Sequence, residues 1–193
     1  MITRFMQQKE EAQKSLAEAK LANETDPEAM ALVDYVNSLK DYYTTSSCSG
    51  RICLLHDVGS KLEADWIGKW HRKVTFEEVM DAFENRPKDG RVRFIFESAI
   101  FHIVAKDVAG ASKVVTIARN FGFKRVGIIS VKEERNTIEV CSTERFDAPI
   151  SDSGRALVDE NYIRYLVDLG NMRFDEGIKK LRRLEQGLRE NLF

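Results

Sequence analysis

At 193 residues the chain is long for one small domain and short for two, and 43% apolar against 32% charged residues can fill one core beneath a polar surface. A formal net charge of −1 excludes polyanion binding through bulk positive charge, so a nucleic-acid partner must meet a local basic patch. Cys48, Cys53 and Cys141 form no C-x-x-C pair, which argues against a disulfide framework and a thiolate zinc site. A charged N-terminal stretch (Lys9, Glu10, Glu11, Lys14) and no apolar run of membrane length predict a soluble protein of the reducing cytoplasm, with no membrane partner.

Ile2 to Ala22 is rich in good helix formers but carries a thin apolar stripe (Phe5, Ala12, Leu16, Ala19), which predicts a mostly exposed helix. Asp26 and Pro27 supply an N-cap and an N1 proline for a second helix, with Leu32, Val33, Val36 and Leu39 turned to the core. Tyr42 to Thr45 and Ile52 to Leu55 are β-prone and predict two strands joined by a turn at Ser49-Gly50. Thr75 and Glu78 form a capping box, with Val74 and Val79 as its hydrophobic staple, for a helix stopping near Arg86-Pro87. Two more strands are expected, one around Val92, Phe94 and Phe96 and one from Ile100 to Ala105.

Asp107 caps a helix carrying Val108, Ala111, Val114, Val115 and Ala118, ended by Gly122 as its C′ residue. Arg125 to Val131 and Thr137 to Ser142 predict a hairpin around Glu133-Glu134-Arg135-Asn136. After Pro149 and Gly154, Asp159 opens a helix expected to end at Gly170, and a last helix carries Phe174, Ile178, Leu181, Leu184 and Leu188 on one stripe to the C-terminus. Several neighbouring strands look like hairpins and the strict βαβ rhythm is absent. The expected fold is a single α+β domain over residues 1–193, with a mixed, largely antiparallel sheet covered by helices.

The polar string Ser46-Ser47-Cys48-Ser49-Gly50-Arg51 joins three hydroxyls, a thiol, a glycine and a guanidinium fork, a set that can hold a phosphate or carboxylate. An ordinary Ser/Gly turn has the same composition. Cys48 is a candidate nucleophile, but no local Cys-His signature accompanies it, and a small buried thiol is the favoured reading. His56, His71 and His102 are too widely spaced for a metal-ligand pattern, so no metal is expected. His71, beside Trp70, Arg72 and Lys73, is in a setting that lowers proton affinity and suits a neutral base. His102 on its predicted strand faces away from Phe101 and Ile103, where a structural hydrogen bond is the usual role. Residues 108–132 lack acids and carry Lys113, Arg119, Lys124, Arg125 and Lys132 among Phe121 and Phe123. This is the best polyanion contact in the chain, unless the phenylalanines are core and the cations merely solvated. No G-x-G-x-x-G or P-loop is present.

As a string, Tyr43-Thr44-Thr45-Ser46-Ser47-Cys48-Ser49-Gly50-Arg51-Ile52 resembles the signature of the wybutosine-synthesis methyltransferase family of archaea and eukaryotes. The resemblance extends to Trp70-His71, Phe94 to Glu97 with His102, Ala118 to Lys124, Ser142-Thr143, Pro149, Tyr162 and Asn171, nearly the whole chain, and at the N-terminus to Phe5 and Lys9. It implies S-adenosylmethionine-dependent methylation of a ring nitrogen of the tricyclic guanosine derivative beside the anticodon of phenylalanine tRNA, on a fold that is not the Rossmann methyltransferase one. It places His71, His102 and Cys48 as catalytic candidates and Ser46, Ser47, Ser49, Gly50, Arg51, Lys124 and Asn171 as binding candidates. His71 or His102 is then expected as the base. Arg51 is expected on a phosphate or on the cofactor's carboxylate. A non-catalytic tRNA-binding module stacking bases on Phe121, Phe123 or Trp70 is the alternative from another class, and a thiol-dependent hydrolase using Cys48 is a third.

Overall fold

Helix starts follow the short-range chemistry of the chain. The computed structural model describes residues 3–59 and 64–192; Ile2 of the predicted first helix lies outside them. Helix α1 (Arg4–Leu21) begins where the Thr3 hydroxyl oxygen accepts the Met6 N–H. Helix α2 (Pro27–Ser38) has its proline in the first turn and buries Leu32, Val33 and Val36. In α3 (Phe76–Glu84) both halves of the Thr75/Glu78 capping box are made, and the staple residues Val74 and Val79 are buried. Helix α4 (Val108–Asn120) is capped by Asp107, which accepts the Gly110 N–H at 2.7 Å, and is left through Gly122 at φ +93°.

The strands are β1 (Tyr42–Asp57), β2 (Asp65–Trp70), β3 (Arg91–Ala105), β4 (Arg125–Lys132), β5 (Arg135–Cys141), β6 (Phe146–Asp152) and β7 (Arg155–Ala156), followed by the 32-residue helix α5 (Glu160–Asn191). Seven antiparallel strands and five helices among the described residues make an α+β fold distinct from the Rossmann architecture, as expected.

The chain divides into two compact units, to both of which β1, β3 and α5 contribute. The first comprises Met1–Ser49, Ala99–Thr143 and Ile178–Phe193. Its strands run in the order β1-β3-β5-β4, with β3 and β5 paired from Ile100↔Cys141 to Ala105↔Asn136 and the predicted hairpin joining β4 and β5. Phe5 of α1 packs edge-on against Tyr43 at 5.3 Å between ring centroids, together with Val104 and Ala12. The Tyr35 hydroxyl ties α2 to the end of α5 by donating to the carbonyls of Leu188 and Leu192.

The second unit comprises Gly50–Ser98 and Glu144–Gly177. Its strands run β2-β1-β3-β6-β7, with β3 and β6 paired from Arg91↔Asp152 to Phe96↔Phe146. Phe146 stacks between Phe94 and Phe96 at centroid distances of 5.8 and 5.9 Å. Arg93 bonds Asp147 through Nε at 2.9 Å and Asp57 through Nη1 at 3.3 Å.

Three predicted breaks are corrected. Ser49-Gly50 is not a turn: β1 runs straight through it, Gly50 taking a φ of +113° that an L side chain rarely adopts. The two strands expected between Val92 and Ala105 are one, because β3 pairs with β6 over its first half and β5 over its second. Gly170 does not end a helix. A Cβ there would lie 3.1 Å from Ile52 Cδ1, so the glycine lets α5 approach β1, and packing outweighs its intrinsic helix penalty of about 1 kcal/mol. Strands β2, β6 and β7 went unpredicted.

Candidate functional site

The first unit brings the hydroxyls of the β1 signature to a cavity of about 520 Å³ lined by Tyr43 to Ser47, by Glu11, Ala12 and Leu16 of α1, by Glu24 and Asp26 ahead of α2, and by Arg135. Ser46 Oγ lies 2.6 Å from His102 Nδ1, and His102 Nε2 lies 3.3 Å from Glu139 Oε2. His102 and Glu139 are register partners across β3 and β5, and Glu139 is in turn the partner of Gly127 on β4, where the space a Cβ would enter is open. Phe101 and Ile103 are fully buried while the His102 side chain is 28% exposed, so strand alternation turns the imidazole to the open face, as predicted. Since the Glu139 carboxylate can only accept, it holds the proton on Nε2 and leaves Nδ1 as the acceptor of the Ser46 hydroxyl.

Ser49 is buried, and both its N–H and its hydroxyl donate to Asp26 Oδ2, at 2.8 and 3.2 Å. Thr44 is bolted to the other end of α2: its N–H donates to Asn37 Oδ1 at 3.0 Å, and its hydroxyl oxygen accepts from Asn37 Nδ2 at 2.9 Å. These bonds hold the signature strand against α2 at its two ends. Ser47 and Cys48 between them are half-buried and Gly50 is buried. Lys124 is exposed in the α4–β4 loop, next to the fully buried Phe123. Phe123 is therefore core rather than a stacking platform. Lys9 of α1 donates to the Leu39 carbonyl at the end of α2, and burial lowers its pKa.

In the second unit, Arg51 Nε donates to Glu97 Oε2 at 2.6 Å while its Cζ lies 4.9 Å from the centroid of the Trp66 ring. Cys53, two residues on, is pushed up to about 12 by burial, with the Glu97 charge adding to the effect, so its thiol is inert. Asn171 of α5 bonds the backbone of Val74 in both directions, accepting the N–H at 2.9 Å and donating to the carbonyl at 2.8 Å. That pair steadies the segment leading from β2 to α3. His71 lies half-buried on this segment, beside Arg72, which meets both Glu78 oxygens at 3.1 and 2.6 Å.

Sequence reasoning saw Asp26 only as a helix cap and passed over Glu139 and Trp66. An acid between Ile138 and Val140 on a predicted strand was the available signal for Glu139, since alternation puts it on the open face.

A family model described as Methyltransferase TYW3 matches residues 7–190. The chain belongs to the methyltransferase TYW3 family. A TYW3 relative from Thermococcus sibiricus is 39% identical over 188 residues, covering 96% of this chain and 95% of its own length. One from Methanocaldococcus jannaschii is 34% identical and covers 86% of each. Both are named tRNA(Phe) 7-((3-amino-3-carboxypropyl)-4-demethylwyosine(37)-N(4))-methyltransferase. A solved structure from Pyrococcus horikoshii OT3 superposes with a TM-score of 0.91 at 35% identity, covering 97% of this chain and 94% of its own. As a TYW3 methyltransferase the chain is an enzyme that moves a methyl group from a donor. Among the described residues no helix is long and apolar enough to cross a membrane.

Proposed function

We propose that this TYW3 methyltransferase transfers the methyl of S-adenosylmethionine to N4 of 7-(3-amino-3-carboxypropyl)-4-demethylwyosine at position 37 of phenylalanine tRNA, with His102 as the base. The observation that carries the reading is the row Ser46–His102–Glu139, which aims a hydrogen-bonded imidazole at a hydroxyl on the cavity wall. The names of the relatives supply the acceptor and its ring nitrogen.

The residues around the cavity fit the donor. A volume of about 520 Å³ lies within the range of roughly 300–1,000 Å³ for small-molecule pockets. Ala12 and Leu16 offer apolar wall for an adenine ring, while the carboxylates of Glu11, Glu24 and Asp26 suit ribose hydroxyls and a positively charged sulfonium. S-adenosylmethionine, when bound, supplies an electrophilic methyl on a good thioether leaving group.

The protein then has two tasks. The first is to hold the acceptor in line, since most of the barrier to such a displacement falls to positioning. The second is to take the proton that N4 loses as it gains the methyl. Ser46 Oγ takes the N4 proton as it passes its own to His102 Nδ1, so the hydroxyl is restored and the resulting imidazolium sits against the Glu139 carboxylate. His71 is retained as the second candidate base, and the exposed Lys124 with the neighbouring basic residues of α4 and β4 is assigned to tRNA phosphate.

Transfer of labelled methyl to modified tRNA tests this. His102→Ala is expected to lower kcat about 10²–10⁴-fold, the usual worth of a positioned base, with an unchanged melting midpoint. A loss confined to His71→Ala moves the role to His71, and full activity in both variants refutes the base assignment.

A further inference from the structure

The signature arginine is held in a way that neither a phosphate nor a plain surface ion pair accounts for. We propose that Arg51 and Glu97, seated on Trp66, form a clamp for an α-amino-carboxylate group. This rests on the function proposed above for the identity of the ligands, not for the chemistry of the site.

Glu97 takes Arg51 Nε and Nη2 on the same oxygen, Oε2, so the pair is locked along one edge of the guanidinium. The indole beneath fixes its plane. The remaining Nη edge has the geometry that receives a carboxylate through two parallel bonds. The two side chains are 28% and 30% exposed, open enough to be reached and enclosed enough to hold a fixed geometry. A phosphate arriving at Arg51 would also meet the Glu97 charge at once. A zwitterion would not, because its ammonium, one carbon from its carboxylate, finds Glu97 where the carboxylate finds Arg51.

Two ligands of the proposed reaction end in this group: the methionine tail of the donor and the 3-amino-3-carboxypropyl arm of the acceptor. Calorimetric titration of the full chain with S-adenosylhomocysteine, which has the tail, and 5′-methylthioadenosine, which lacks it, reads the first. Methyl transfer to tRNA bearing 4-demethylwyosine with and without the arm reads the second. Wild type is expected to favour the amino-carboxylate-bearing partner in one of these assays by about 10- to 100-fold, the worth of charged hydrogen bonds. Glu97→Gln and Arg51→Met should cut that preference to within about twofold. Arg51→Lys, which keeps the charge and loses the fork, should fall between and serves as the readable variant if Arg51→Met fails to fold. Loss in the titration assigns the donor tail, and loss in the transfer assay assigns the acceptor arm. Survival of the wild-type preference through both variants in both assays, or its absence from wild type in both, overturns the clamp. Tail preference in the titration without methyl transfer to either tRNA overturns the proposed function and leaves the clamp standing.

Discussion

Asp26 occupies an N-cap position and makes no cap bond, because its Oδ2 receives the N–H and hydroxyl of Ser49 instead. A residue that forgoes a cap worth about 1 kcal/mol to anchor a signature serine ties helix placement to site geometry. Glu139 serves His102 in the same manner, by fixing which ring nitrogen can accept. Elsewhere a carboxylate serves stability alone. Glu78 is held down at about 2, against an ordinary 4.5, first by its hydrogen bond from Arg72 and then by the Thr75 N–H. Its folded-state pKa lies below the unfolded one, so the bonds stabilise the protein above pH 4.5, and that contribution is lost as the pH falls from 4.5 towards 2. Glu78 is solvent-facing, so salt weakens the effect. In urea titrations at pH 6 and pH 3, Arg72→Leu should lose less of its stability on acidification than wild type. Equal losses would remove Glu78 as an acid-sensitive site.

At the scale of elements, the glycines of α5 show how packing decides what propensity alone leaves open. The apolar stripe Ile163, Leu166, Val167, Phe174, Ile178, Leu181 and Leu188 continues across Gly170 without a break in spacing, so the sequence did hold a sign that α5 is one helix. At Gly187 a Cβ would lie 2.3–2.6 Å from atoms of the Phe121 ring, whereas at Gly177 nothing lies within 4 Å. Gly177→Ala should therefore stabilise the protein by up to about 1 kcal/mol through helix propensity. Gly187→Ala should forfeit that gain and be about 1–3 kcal/mol less stable than Gly177→Ala, because the ring must move aside. Matched urea midpoints for the two variants would show that the ring moves without cost. In β1 the sign was missing. Ser49-Gly50 has the composition of a turn, and it is the Asp26 bonds to Ser49 and the place of β1 beside β3 in the sheet that keep it strand.

For the whole molecule, length and composition predict one domain, while the fold comprises two units to which β1, β3 and α5 each contribute residues. We propose that they unfold together. Scanning calorimetry should give a single transition with equal calorimetric and van't Hoff enthalpies; two separated transitions would make the units independent domains. The caps at Thr3, Thr75 and Asp107, the left-handed exit at Gly122 and the β4–β5 hairpin were determined by the sequence itself, because each acts between residues a few positions apart. The tertiary structure alone decided that Ser46 meets His102, 56 residues away, and that His102 meets Glu139, 37 residues further on. Strand order and register create those contacts, and they depend on which faces are buried across the whole sheet rather than on any neighbouring residue.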